Sequence, residues 1–292
     1  MNRRHFLSAA SAAAAAMPVL SAKPFSKPLG IQLYTARSTW PADPEGVLKR
    51  VADIGYKEVE LYAADQIEKL GPTLKKLGLA ATSIHIADAI SLADDDTKFK
   101  QTLDQAVAAG IKYGGVPYVA PNARGPKSGP ELGEFWKKWS AKMNRAAATA
   151  NKAGVTFFYH HHAFEFAGTV GERPIDFMKK ELDPKLVKLE MDIFWVAAAG
   201  ADPIAVMKEW KGRVALMHLK DRASSMATIA TESQAKPGDF KEVGNGSLDF
   251  KAILNTALST GVAKFYVEQD QCPGDPVDSL KISFDNLKKV SL

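Results

Sequence analysis

Along this chain, stretches whose apolar residues recur at helical spacing end repeatedly on a glycine, and a short β-rich run begins at once. The junction occurs at Gly55 (then Tyr-Lys-Glu-Val-Glu-Leu-Tyr), Gly78 (Leu-Ala-Ala-Thr-Ser-Ile-His-Ile) and Gly110. It recurs at Gly154 (Val-Thr-Phe-Phe-Tyr-His) and Gly261 (Val-Ala-Lys-Phe-Tyr-Val-Glu). Glycine tolerates the left-handed conformation that closes a helix, so each junction predicts a helix stop followed by a strand. Three more β-rich runs, Leu29–Tyr34, Val187–Asp192 and Val214–Leu219, bring the strands to eight. Helical stretches between them include Pro44–Ile54, Ala64–Leu77, Thr97–Ala109, Glu131–Ala153, Phe250–Thr260 and Asp275–Lys289. This alternation predicts a parallel α/β sheet. Eight units of one kind within about 260 residues favour a closed (β/α)8 TIM barrel, a single domain over residues 28–292, over an open doubly wound sheet. A dinucleotide fold would want a glycine-rich turn directly after its first strand; here that strand runs into Tyr34-Thr35-Ala36-Arg37. The one long irregular stretch, Arg222 to Leu248, follows the seventh strand, where it could act as a lid.

The N-terminus breaks this pattern. Arg3-Arg4 precede Phe6-Leu7, an alanine-rich run extends from Ala9 to Ala16, and small residues surround Ser21-Ala22. Residues 1–22 therefore read as a twin-arginine-type signal peptide, which implies the twin-arginine export machinery as a partner and a periplasmic or secreted enzyme. The apolar run is shorter than the roughly 20 residues a spanning helix needs, so no stable membrane insertion is expected once the signal is removed. Cys272 is the only cysteine, which excludes an internal disulfide. Without Arg3 and Arg4 the formal charge falls from +5 to +3. The lysines are scattered over helical stretches, not gathered in a basic stripe with interleaved aromatics, so no nucleic-acid partner is expected. The oligomeric state stays open, a homo-oligomer included.

In a barrel of this kind chemistry collects at the C-terminal ends of the strands. Apart from His5, all the histidines (His85, His160, His161, His162 and His218) fall at or just past the ends of the third, fifth and seventh strands. Glu60 lies on the second strand, Glu165 follows the fifth, and Asp192 and Glu268 end the sixth and eighth. Chance would have spread histidines over the helices, so the clustering marks an active site. Asp192, His218 and Glu268 end successive strands and can converge, and Glu165 can close a fourth side. Three carboxylates and one imidazole suit a hard or borderline divalent ion, Mn²⁺ first, with Mg²⁺, Co²⁺ or Zn²⁺ as alternatives. Strand-end caps or rim ion pairs are the competing reading for any one of these residues.

These segments together resemble the xylose isomerase-like barrel family, often called sugar phosphate isomerases/epimerases. The resemblance runs from about Leu29 to the C-terminus. It rests on Gly30-Ile-Gln-Leu-Tyr34, Tyr159-His-His-His-Ala-Phe-Glu-Phe166, Met191-Asp192 with Trp195, and His218-Leu-Lys-Asp221. Val243-Gly-Asn-Gly246, Val267-Glu-Gln-Asp270, Gly274-Asp-Pro276 and Ser279 continue it. It implies one metal held by Glu165, Asp192, His218 and Glu268. Many family members carry the strand-five glutamate inside the strand, where this chain has His160, so His160 or His162 is the rival ligand. His161 stands where the Tyr-His-Asn-His subgroup has asparagine. By strand parity, His160 and His162 point one way and His161 toward the outer layer.

A metal gripping two oxygens of a hydroxy-ketone acidifies the proton between them. A base and a second acid/base then give epimerisation or aldose–ketose isomerisation, and the resemblance assigns this pair to Glu165 and Glu268. Lys220 could stabilise the oxyanion or donate a proton, or form a salt bridge instead. A leaving group β to the carbonyl would turn the same enediolate into a lyase or dehydratase intermediate. Trp195, Phe164, Tyr34 and Tyr118 could stack on a sugar ring or merely pack the mouth. His85, His160, His162 and Glu60 complete the expected substrate-facing set. Export and the lack of a glycine-rich phosphate cradle point to an unphosphorylated carbohydrate substrate. A phosphodiesterase of the apurinic endonuclease type, or a sugar-binding protein without turnover, are the remaining classes.

Overall fold

A computed structural model describes residues 24–126 and 128–292. The expected signal, residues 1–22, lies outside the described residues. Eight parallel strands form a closed barrel. In chain order they are β1 (Gly30–Gln32), β2 (Glu58–Leu61), β3 (Ala80–His85), β4 (Tyr113–Val116), β5 (Thr156–His160), β6 (Val187–Asp192), β7 (Val214–Leu219) and β8 (Lys264–Val267). Each strand pairs with its neighbours in sequence, and β8 closes the ring on β1 through Gly30 opposite Tyr266. Helices cross over between strands, and most bounds follow the hydrophobic period: Pro44–Ile54, Gln66–Lys76, Thr97–Ala108, Pro130–Lys152, Phe250–Thr260 and Pro276–Lys289. Gly55 ends the first of these at φ 119°, a left-handed value that a side chain would strain.

Strand alternation sorts the side chains into two layers. On β6, Leu189 and Met191 join the core between sheet and helices, whereas Glu190 and Asp192 face the barrel axis. The axis itself is filled in tiers. Phe158, Leu216 and Tyr266 form a separate apolar cluster across the barrel. At β4 the inward position is Gly115, where a Cβ would come within 2.6 Å of the Phe158 ring, so glycine is what lets this plug close. Below it Lys264 pairs with Glu58 and Thr82 Oγ1 lies 2.8 Å from Tyr266 Oη. Two residues further along β5, β7 and β8 come His160, His218 and Glu268. The apolar plug is thus the floor of the polar site.

The stretch after β7 is not wholly irregular. Asp221–Arg222 pairs antiparallel with Phe240–Lys241. No helix among the described residues is long and apolar enough to cross a membrane.

Candidate active site

Directly above the plug, three histidines and two glutamates are buried together. His218 Nε2 lies 2.7 Å from Glu60 Oε2 and 3.4 Å from Glu190 Oε2. His85 Nε2 is 2.8 Å from Glu190 Oε2, and His160 Nδ1 is 3.3 Å from the same oxygen. Gln32 Nε2 donates to Glu60 Oε2 at 2.8 Å, fixing that carboxylate from β1. Burial opposes ionisation of Glu60, but His85 and His218 outweigh it and hold the carboxyl below its ordinary range. The reciprocal effect on His85 overcomes its burial, with Glu60 and Glu190 raising it to about 9. At His160 burial, with His218 beside it, outweighs the pull of Glu190 and keeps the ring neutral.

A second tier lies toward the mouth. His218 Nδ1 is 2.9 Å from Glu268 Oε2 and 3.8 Å from Asp192 Oδ2. Lys220, one strand period beyond His218, puts its Nζ 2.6 Å from Glu268, 3.0 Å from Asp192 and 3.1 Å from Asp270. Asp192 is divided between two tasks. Its Oδ1 accepts the amides of Phe194 and Trp195 as N-cap of the helix Ile193–Ala198, which turns Oδ2 toward the mouth. Burial raises the cost of ionising Asp192 and Glu268, yet Lys220 and His218 hold both below the ordinary carboxylate range. The same carboxylates, led by Asp192, keep the buried Lys220 ammonium charged. Asp270 is lifted to about 6, by burial first.

A model of the xylose isomerase-like TIM barrel family matches residues 48–289. The chain belongs to that family. An inosose dehydratase from Clostridium tetani is 28% identical over 154 residues, 50% of this chain and 51% of that protein. The chain thus spans about half the length of the relatives it matches. A sugar phosphate isomerase/epimerase from Parabacteroides distasonis is 21% identical with a TM-score of 0.73, covering 91% of this chain and 97% of that one. The IolI protein, whose crystal structure holds a zinc atom, is 14% identical with a TM-score of 0.67, covering 90% and 97%. At these identities the solved structures share the barrel.

Within this family barrel, Asp192, His218 and Glu268 meet, their ligating atoms all within 4.8 Å of one another. Lys220 joins them. Glu165 does not. It sits in the 3₁₀ turn Phe164–Phe166, where Oε1 accepts from Tyr159 Oη at 2.5 Å and Oε2 from the His162 amide at 2.8 Å. Tyr159 occupies the outward parity of β5, against Trp139 of the helix Pro130–Lys152, so the carboxylate it holds is turned behind the barrel wall. His85, His160 and Glu60 belong to the deeper tier. His162 stands on the mouth wall with Tyr118 and Trp195, at ring-centroid distances of 5.0 and 5.4 Å. Tyr34 lies on the exposed rim under the Arg37 guanidinium, 4.1 Å from its ring centroid. His161 faces the outer layer against Phe166, as its parity requires, and burial holds it neutral with a pKa of about 4.

Glu190, Asp270 and Gln32 escaped sequence reasoning. Glu190 and Asp270 were nonetheless signalled, since each shares strand parity with a recognised neighbour, Asp192 or Glu268. Counting them changes the charge balance. Four buried carboxylates (Glu60, Glu190, Asp192 and Glu268) and the half-buried Asp270 face one ammonium and the imidazoliums of His85 and His218. Two negative charges are left in excess. Glu60 Oε1 and Glu190 Oε1 are buried without a hydrogen-bond partner, and Asp192 Oδ2 is met only by the ion pairs with Lys220 at 3.0 Å and His218 at 3.8 Å. A divalent cation fits this donor set, because it would supply both the missing charge and the missing partners.

The mouth is covered from one side. Phe240 of the small hairpin stacks on Phe194 at 4.6 Å, and Met226 and Ile229 complete an apolar cluster with Trp195. Glu232, in the same loop, accepts from Arg124 Nη2 at 2.9 Å, and Arg124 lies 3.6 Å over the Phe164 ring. The loops after β4 and β7 therefore join over the turn that follows β5.

Proposed function

We propose that this chain is an exported, divalent-metal-dependent isomerase or epimerase that abstracts the proton beside a carbonyl of an unphosphorylated sugar or sugar derivative. The observation carrying the reading is the buried set of Glu268, Lys220, Asp192 and His218, facing the neutral imidazoles of His160 and His162. A divalent ion held by Asp192, His218 and Glu268, Mn²⁺ by the oxygen-rich donors, would supply Lewis acidity toward a carbonyl and its neighbouring hydroxyl. Glu268, ionised, takes the proton. Lys220, buried and held charged by three carboxylates, offers its ammonium to the developing oxyanion. In isomerisation the Glu268 carboxyl returns the proton to the adjacent carbon. Epimerisation needs a second proton donor on the opposite face, a role that the His162 imidazole, kept neutral by burial and by Lys220, does not fill unaided. The unphosphorylated substrate rests on the export signal at residues 1–22.

The inosose dehydratase match over half the chain favours a second reading, β-elimination from the same enediolate. Lys220 or Asp270 would then protonate the departing oxygen. Both readings are tested by incubating the metal-loaded full chain with keto-sugars and keto-glycosides in D₂O and following products by NMR. Deuterium at the α-carbon is the expected result, and an unsaturated product selects elimination. Glu268→Gln is expected to slow exchange by about 10²–10⁴-fold, the usual worth of a positioned general base. No exchange in any substrate, together with phosphodiester cleavage, overturns the reading.

A further inference from the structure

The deeper tier has a geometry that the enolising reading does not use. His85 Nε2, His160 Nδ1 and His218 Nε2 lie 2.8, 3.3 and 3.4 Å from a single oxygen, Glu190 Oε2. All four atoms fall within 4.8 Å of one another. Ligands about 2.1 Å from a tetrahedral ion are separated by about 3.4 Å, which the two longer of these three spacings match. His160 Nδ1 and Glu190 Oε1 have no hydrogen-bond partner, although their residues are 3% and 0% exposed. A buried polar atom without a partner is costly, and His160 Nδ1, 3.3 Å from Glu190 Oε2 but not hydrogen-bonded to it, marks a missing ligand. Behind them, Glu268 Oε2 lies 2.9 Å from His218 Nδ1, the ring nitrogen turned away from the cluster. That is the outer support a metal site requires.

We propose that His85, His160, Glu190 and His218 form a separate binding site for a borderline divalent metal such as Zn²⁺ or Co²⁺, below the Asp192–His218–Glu268 set. Three imidazoles and one carboxylate select such ions over Mg²⁺ or Ca²⁺, which favour oxygen. The two sets meet at one ring: His218 turns Nε2 to the deeper site and Nδ1 to Glu268. A metal below would therefore fix the face that His218 presents to the mouth. It would also neutralise Glu60 and Glu190, which otherwise depend on protonated histidines.

The test reads metal, not turnover, so its failure is distinct from failure of the enolising reading. The full chain, stripped with chelator, is titrated with Co²⁺ and followed by visible absorption and by elemental analysis of bound metal. The expected result is an intense tetrahedral Co²⁺ band. His85→Ala and His160→Ala should each abolish that band and lower bound cobalt by one equivalent, whereas Glu268→Gln should keep it. Should the histidine variants not fold, X-ray absorption of the wild-type Co²⁺ protein decides, with scattering from more than one imidazole per cobalt expected. A band lost in Glu268→Gln but kept in His85→Ala overturns the proposal. So does one imidazole or fewer per cobalt.

Discussion

Glu165 is a carboxyl group that the fold has hidden. It accepts from Tyr159 and from the His162 amide, but burial dominates and raises its pKa from 4.5 to about 8. Between those values the native protein holds a proton that the unfolded chain has released. The residue's contribution to stability is therefore complete below about pH 4.5 and is lost as pH rises toward 8. Glutamine can accept the His162 amide and donate to Tyr159, so Glu165→Gln should remove the dependence. Urea denaturation at pH 5, 6.5 and 8 should show the variant gaining on the wild type with each step. A constant difference would mean that the carboxyl titrates normally. Tyr159-His-His-His-Ala-Phe-Glu-Phe166 gave the right neighbourhood for this residue and the wrong direction. Parity holds along β5 and so separates His160 from His161. It says nothing past the strand end, where the 3₁₀ turn carries Glu165 outward.

The loop after β7 owes its shape to one side chain. Asp221 Oδ2 accepts the amides of Gly244 and Gly246, each at 2.9 Å, and Oδ1 accepts those of Arg222, Ser247 and Leu248. A Cβ on Gly246 would fall 2.3 Å from Asp221 Oδ1, so only glycine allows this approach. Asparagine keeps one accepting oxygen and turns an N–H₂ against the remaining amides. Asp221→Asn should therefore cost about 2–3 kcal/mol, the loss of charge-assisted hydrogen bonds at a buried group. Hydrogen exchange read by mass spectrometry should speed up at residues 244–248 before it does in the barrel strands; unchanged protection there would refute the clasp. None of this was periodic, and so the stretch read only as irregular. The strand and helix bounds were legible because they are periodic: Val187–Asp192, Val214–Leu219, Pro44–Ile54 and Phe250–Thr260 stand where the sequence pattern sets them. Ile193–Ala198 did not stand out, since Ile-Phe-Trp-Val-Ala-Ala is apolar on every face and short.

At the scale of the molecule, a closed barrel puts strand-end side chains around one axis, and this chain has gathered an excess of negative charge there. Repulsion among Glu60, Glu190, Asp192, Glu268 and Asp270 must be opposed in the native state, while the unfolded chain disperses it. Any divalent ion that binds the native site alone therefore stabilises the whole fold. At 100 times its Kd the gain is about 2.7 kcal/mol. For a domain of this size each kcal/mol moves the midpoint by roughly 2–4 °C, so Mn²⁺ added to chelator-treated protein should raise Tm by about 5–10 °C. Matching the ionic strength with sodium chloride should not reproduce the shift, because buried charges are poorly screened by salt. The increment should shrink in Asp192→Asn, which keeps the N-cap oxygen but weakens the donor that faces the mouth. Equal midpoints with EDTA and with Mn²⁺, or an equal rise with sodium chloride, would mean that Lys220 and the charged histidines already balance the interior.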